Sequence, residues 1–132
     1  MKKLLRAVLL GALMLPMMVA FSACTESEPA EYEQITQSHA KSIMDNAKDY
    51  VLIDARTQEE FDQGHIKGAV MIPEYEIKDR AKDEIPQKDT LILVYCRTGR
   101  RSKIAAQALA DMGYTNVKEF GGIVDWIYGI ER

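Results

Sequence analysis

Cys96 is followed within five residues by three arginines, Arg97, Arg100 and Arg101, and by Gly99. A cysteine thiolate is a strong nucleophile, and nearby cations favour its formation. Guanidinium groups bind small oxyanions with paired hydrogen bonds. The alternative interpretation is a small apolar core cysteine beside a solvated basic loop. The three arginines and the glycine favour a nucleophilic cysteine at an anion-binding loop.

The segments on either side of this loop predict how the cysteine is held. Residues 91–95 form an apolar run with the composition of a buried strand. Residues 103–112 have apolar side chains at helical spacing, and Gly113 suits a left-handed helix end. Cys96 is therefore expected between the carboxyl end of a strand and the start of a helix. Ligands bind at that position in open α/β sheets, and helix amino termini attract anions.

The preceding chain repeats the same alternation of strand and helix. Residues 36–47 have helical spacing with Thr36 as a possible N-cap, and residues 50–54 form a second buried strand. Thr57 and Glu60 have the spacing of a capping box that opens a short helix ending at Gly64. This order of elements predicts an α/β domain with a parallel sheet.

Three polar residues near these elements are predicted to have structural roles. Asp54 and Arg56 flank the end of the second strand, where we expect an ion pair. His65 lies between glycine and isoleucine at a turn, and a hydrogen-bonded structural role is preferred over that of a base for Cys96.

The remaining segments are assigned from periodicity. Residues 74–82 are expected to form a helix with Tyr75, Ile77 and Ala81 facing inward. Residues 116–120 are expected to form a last strand, followed by a Gly121-Gly122 turn, with Trp126 as a packing anchor.

The amino terminus has the pattern of an export signal. Lys2, Lys3 and Arg6 precede an apolar run over residues 7–20, and small residues lead to Cys24. The segment resembles a bacterial lipoprotein signal, which implies cleavage before Cys24 and lipidation of that cysteine. Cleavage by ordinary signal peptidase after Ser22 is the competing interpretation.

The predicted boundaries are a signal peptide at residues 1–23, a tether at 24–34 and one domain at 35–132. The expected location is the cell envelope, with the protein anchored by lipid to a bacterial membrane on the periplasmic or extracytoplasmic side.

Charge and cysteine content exclude several classes of function. Removal of Lys2, Lys3 and Arg6 with the signal would change the formal net charge from −3 to −6. A chain this acidic is a poor partner for nucleic acid. With Cys24 modified, Cys96 is the only remaining thiol and no internal disulfide is possible. The two histidines and scattered carboxylates match no zinc spacing, so no metal or other cofactor is expected.

Four motifs occur in the order found in rhodanese domains, and the match covers residues 35–132. The motifs are Val51-Leu52-Ile53-Asp54-Ala55-Arg56, Glu60-Phe61 with Gly64-His65-Ile66-Lys67-Gly68-Ala69, Tyr95-Cys96-Arg97-Thr98-Gly99-Arg100-Arg101-Ser102, and Gly121-Gly122 with Trp126. The chain thus resembles a single-domain rhodanese of the thiosulfate sulfurtransferase type. The resemblance implies a doubly wound α/β domain with a central parallel sheet flanked by helices.

The resemblance also implies a sulfur-transfer mechanism. The Cys96 thiolate would attack the outer sulfur of thiosulfate or a similar small anionic donor and hold it as a persulfide. A thiol or cyanide would then accept the sulfur, with the protein acting as a monomer. The residues expected around the donor are Arg97, Thr98, Gly99, Arg100, Arg101 and Ser102.

Several alternatives remain open at this point. A cysteine phosphatase or arsenate reductase would need an arginine six residues after the cysteine, where Ser102 stands. A partner-fed or non-catalytic sulfur-carrier module is a further alternative. Arg97 and Arg101 are the preferred substrate contacts, unless one of them pairs with Asp54 or Glu60. Ser102 either caps the following helix or donates a hydrogen bond to the sulfur.

Overall fold

A parallel sheet forms the centre of the molecule, as a computed structural model of residues 28–132 shows. Its five strands lie in the order β1-β5-β4-β2-β3, and every adjacent pair is parallel. The strands are β1 Glu33–Gln34, β2 Val51–Asp54, β3 Val70–Met71, β4 Ile92–Cys96 and β5 Val117–Gly122. The predicted signal segment and Cys24 lie outside the described residues.

Four α-helices connect these strands. They are α1 Gln37–Asn46, α2 Gln58–Gln63, α3 Ile77–Glu84 and α4 Arg100–Asp111. Short 3₁₀ turns occur at Glu74–Glu76 and Ile123–Asp125. The predicted N-cap at Thr36 and the capping box of Thr57 and Glu60 are both confirmed.

The central strand β4 is buried on both faces. Alternating side chains point to opposite sides of a strand, so Ile92, Val94 and Cys96 pack in one apolar cluster with residues of α3 and α4. Leu93 and Tyr95 pack in the other cluster, which also contains Ala40 of α1 and Trp126. The expected α/β fold with a parallel sheet between helices is confirmed.

The structure corrects three details of the sequence prediction. Helix α4 begins at Arg100, three residues before the predicted start. Tyr75 is 66% exposed, because it lies in the 3₁₀ turn before α3 and not on the buried side of a helix. Strand β1 lies within the segment assigned as a tether, where it pairs with β5.

None of the helices described within residues 28–132 has the length and apolar character needed to cross a membrane.

Candidate active site

Cys96 is the last residue of β4, and only three residues separate it from the first turn of α4. Gly99 has a φ of 104°, a left-handed conformation that glycine adopts without the steric cost of a side chain. The chain therefore turns sharply, and the amide of Gly99 donates to the Cys96 sulfur at 3.0 Å. Residue Cys96 is 1% exposed.

Opposing effects act on the pKa of the Cys96 thiol. Burial raises this pKa, because a charged sulfur loses hydration. Hydrogen bonds from the Ser102 hydroxyl and from the amides of Ser102, Gly99 and Thr98 lower it. The net result is a lowered pKa, so the loop favours the thiolate form.

The three arginines of the loop have different environments. Arg97 and Arg100 are exposed, and neither forms an ion pair with any part of residues 28–132. Arg101 donates to both carboxylate oxygens of Glu60, at 2.7 and 2.8 Å. Arg101 therefore pairs with Glu60, which was the alternative to its predicted role as a substrate contact. Arg97 and Arg100 remain available to an anion.

Gly122 packs against the backbone of the Cys96 loop. A Cβ atom at this position would lie 2.1 Å from the carbonyl oxygen of Arg97 and 2.6 Å from Cα of Thr98. Only glycine allows β5 and the loop to approach so closely. The predicted turn at Gly121-Gly122 is in fact the end of β5, where Gly122 pairs with Cys96.

Ser102 links the cysteine to a carboxylate that the sequence analysis did not identify. Its Oγ lies 3.4 Å from the Cys96 sulfur and donates to Oε1 of Glu119 at 2.7 Å. Both residues are buried, Ser102 in the first turn of α4 and Glu119 in β5. The sequence gives little sign of Glu119, because it follows Lys118 in a short strand with two adjacent charged residues.

Two clefts border the loop. One, of about 330 Å³, is lined by polar groups of Arg56, Glu60 and Arg97 together with apolar side chains such as Val124 and Ile130. The lining of the other includes Thr98, Gly99, Lys103 and Glu119. A small anion in the first cleft would thus meet Arg97, the residue next to Cys96 in the chain.

The family model described as "Rhodanese-like domain" matches residues 36–128. The chain belongs to the rhodanese-like family. The thiosulfate sulfurtransferase PspE of Escherichia coli K12 is 42% identical over 73 residues, which cover 55% of this chain and 70% of that protein. The doubly wound fold predicted from the motifs is confirmed.

A longer relative and a solved structure agree with this assignment. The adenylyltransferase and sulfurtransferase UBA4 of Candida albicans is 36% identical over 92 residues, 64% of this chain. The chain spans only 21% of the length of that protein. A structure described as a rhodanese with anions from E. coli has a TM-score of 0.59 and 37% identity, covering 63% of this chain and 98% of that one. The homologues support a sulfurtransferase of the rhodanese family.

In this rhodanese domain, Asp54 and Arg56 form the expected ion pair. Nη2 of Arg56 lies 2.7 Å from Oδ2 of Asp54 and also donates to the carbonyl oxygen of Gly64 at 2.7 Å. The Tyr95 hydroxyl donates to Asp54 at 2.6 Å and accepts from the Ile66 amide at 3.1 Å. Burial, followed by the charge of Asp54, raises the pKa of Tyr95. The network joins β2, β4 and the turn after α2.

His65 lies in that turn. Its ring stacks on Phe61 with 3.8 Å between centroids, and Nδ1 is 3.1 Å from the Phe61 carbonyl oxygen. Its backbone also pairs with Glu131. Within residues 28–132, the groups that hydrogen-bond to the Cys96 sulfur belong to Thr98, Gly99 and Ser102. These contacts agree with the preferred structural role of His65.

Proposed function

We propose that this protein is a thiosulfate sulfurtransferase in which Cys96 carries the transferred sulfur as a persulfide. The observation that carries the proposal is the set of hydrogen bonds from the amides of Thr98, Gly99 and Ser102 to the Cys96 sulfur, with Gly99 N at 3.0 Å. Such a nest stabilises the negative charge of a thiolate and then of a persulfide. The sulfurtransferase relatives support the same class of chemistry.

The proposed reaction has two steps. The Cys96 thiolate attacks the outer sulfur of thiosulfate, a new S–S bond forms, and sulfite departs with the electron pair of the broken bond. A nucleophilic acceptor, cyanide or a thiolate, then attacks the outer sulfur and releases the Cys96 thiolate. Arg97 and Arg100 are proposed to bind the anionic donor and the departing sulfite.

The loop supports sulfur transfer better than phosphate transfer. Position 102 has a serine whose hydroxyl is engaged with Glu119, and the adjacent Arg101 is held by Glu60. Neither side chain is free to grip a phosphoryl group in the manner of a cysteine phosphatase.

Attachment to a membrane through Cys24 and location in the cell envelope are further parts of the proposal. They rest on the pattern of residues 1–24. The acceptor in the cell is proposed to be a thiol that reaches the loop from the extracytoplasmic side.

The intact mass of the protein, measured with and without thiosulfate, tests the sulfurtransferase proposal. We expect a gain of one sulfur atom, its removal by cyanide, and formation of thiocyanate. Cys96→Ser should show none of these changes while it keeps the circular dichroism spectrum of the wild type. No mass gain in a protein with a free, reduced Cys96 would eliminate thiosulfate as the donor.

A further inference from the structure

Glu119 is a buried carboxylate with no cationic partner in residues 28–132. It is 2% exposed; Lys118 pairs with Glu33 and Arg101 with Glu60, and Lys103, which lines the same cleft, forms no ion pair with Glu119. Its Oε1 accepts from the Ser102 hydroxyl at 2.7 Å and from the Gly121 amide at 2.8 Å. Burial of a carboxylate without an ion pair costs free energy. A second role for this side chain would explain its position.

The Ser102 hydroxyl bridges Glu119 and the reactive sulfur. A hydroxyl group has one proton to donate and lone pairs that accept. Because its shortest contact is to Glu119, the serine gives its proton to the carboxylate and presents its oxygen to the Cys96 thiol at 3.4 Å. The three groups form a continuous row from sulfur to carboxylate, and both ends are shielded from water.

We propose that Glu119 receives the thiol proton of Cys96 through Ser102 when the nucleophile forms. The inference rests on the proposed role of Cys96. In this step the S–H bond breaks, the Ser102 oxygen takes that proton, and the proton originally on Ser102 moves to Oε1 of Glu119. The serine then donates to the thiolate and accepts from the carboxylic acid. Glu119 is thus a positioning residue that acts through Ser102.

Charge conservation makes this arrangement suitable for a buried site. The row has one negative charge before the transfer, on Glu119, and one afterwards, on the sulfur. A persulfide also has one negative charge, so the total charge of the row is the same when the sulfur is bound. Two adjacent buried anions, which would repel each other strongly, are avoided throughout.

Several other titratable groups lie near this row. Tyr32 precedes β1, and burial together with the charge of Glu119 raises the pKa of its hydroxyl. The charged side chains nearby are Lys103, Asp125, the pair of Lys118 and Glu33, and the pair of Arg101 and Glu60. These groups are present in every variant compared below, apart from the control at Glu33.

The pH dependence of Cys96 alkylation by iodoacetamide tests the relay, with the product measured on the tryptic peptide of residues 89–97. In the wild type, two groups share one proton, and we expect alkylation to rise in two steps. In Glu119→Gln, the second titrating group is gone. We expect a single step for this variant. Its midpoint should lie about one pH unit below the second step of the wild type, because the negative charge of Glu119 is absent. Glu33→Gln removes an exposed carboxylate from the adjacent strand and should leave the profile unchanged.

Ser102→Ala provides a second, independent variant. Without the hydroxyl, Cys96 should titrate in one step at higher pH than in the wild type. In the double variant, Glu119→Gln should shift the midpoint of the Ser102→Ala protein much less than Glu119→Gln alone shifts that of the wild type. Equal shifts in both backgrounds would mean that Glu119 acts only through space and would overturn the relay. An unaltered profile in Glu119→Gln would also overturn it. Because the assay follows thiol ionisation, failure of sulfur transfer from thiosulfate would refute the proposed function without affecting this test.

Discussion

At the scale of the residue, the loop separates the stabilisation of the sulfur from the binding of the donor. The groups that lower the pKa of Cys96 are the Ser102 hydroxyl and three backbone amides, whereas Arg97 and Arg100 extend into solvent. The sequence analysis expected the start of the helix and the arginines together to favour the thiolate, with the arginines also binding the donor. The side chains of Arg97 and Arg100 can therefore be changed without loss of the groups that activate the thiol.

Arg97→Ala and Arg100→Ala are each expected to raise the KM for thiosulfate about tenfold, since a charge-assisted hydrogen bond contributes about 1.5 kcal/mol or more. The pH profile of Cys96 alkylation should stay as in the wild type. Steady-state kinetics with thiosulfate and cyanide provide the measurement. Arg80→Ala, which removes a surface arginine of α3 paired with Glu76 and Glu84, is the matched control. An unchanged KM in both loop variants would show that the donor binds elsewhere.

Gly122→Ala should disable the site through contact with the backbone. The new methyl group would lie 2.1 Å from the Arg97 carbonyl oxygen, so the loop or β5 has to move. We expect sulfur transfer to fall at least tenfold and the Cys96 alkylation profile to move to higher pH, because the amides lose their alignment. Gly113→Ala is the control, since that glycine has open space around it and only its φ of 93° disfavours alanine, whereas Gly122 has a φ of −124° and is restricted by the close approach alone. Full activity in Gly122→Ala would contradict the role given to this close approach.

At the scale of the element, Glu60 connects α2 to α4. It accepts from the Thr57 amide at 3.1 Å as part of the capping box and from both terminal nitrogens of Arg101. The hydrogen bond from Arg101 is the main cause that lowers the pKa of Glu60 to about 2. One side chain thus closes the amino end of a helix and fixes the first turn of the helix that presents Ser102.

Glu60→Gln should lower the free energy of unfolding by about 1–2 kcal/mol at pH 7, because it removes a bidentate, partly buried ion pair. The pKa of Glu60 is lower in the folded state than its unfolded value of about 4.3. The stabilisation is therefore complete above pH 4.3 and is lost as the pH falls through about 2. Urea unfolding between pH 7 and pH 2 should show the difference between wild type and variant shrinking in that range.

Glu84→Gln is the control for this experiment. Its partner Arg80 also pairs with Glu76, and the groups lie on the surface of α3, so a smaller loss is expected. A difference between wild type and Glu60→Gln that stays constant down to pH 2 would contradict the assignment.

The sequence predicted the strands that have strong apolar runs and the helices that have clear caps. Strands β2 and β4 and helices α1 and α2 lie within a residue or two of their predicted positions. The early start of α4 was missed because Arg100, Arg101 and Ser102 resemble a polar loop, whereas Gly99 turns the chain directly into the helix. Glu119 was missed because only the pairing of β5 with β4 and the packing of α4 bring it to Ser102.

At the scale of the whole molecule, residues 34–37 line the cleft beside Thr98 and Gly99, whereas the segment before β1 approaches the sheet from the other end. Strand β1 is parallel to the other strands, so the chain enters it at the amino ends of the strands. The Cys96 loop lies at their carboxyl ends. Gln107, in the second half of α4, donates to the Ala30 carbonyl oxygen at 2.8 Å, whereas the site lies at the amino end of that helix. An anchor at Cys24 would therefore leave the loop open to donor and acceptor.

Cys24→Ser is accordingly expected to move the protein from the membrane fraction to the soluble fraction without a change in turnover. Lipid attachment needs the Cys24 thiol, and the eight residues between Cys24 and β1 span at most about 29 Å when extended. Fractionation of cells followed by the thiocyanate assay measures both effects. Cys96→Ser is the matched control, since it should stay with the membrane and lose activity. If Cys24→Ser remained in the membrane fraction, the uncleaved segment 1–23 would itself be the anchor, and the lipid assignment would be wrong.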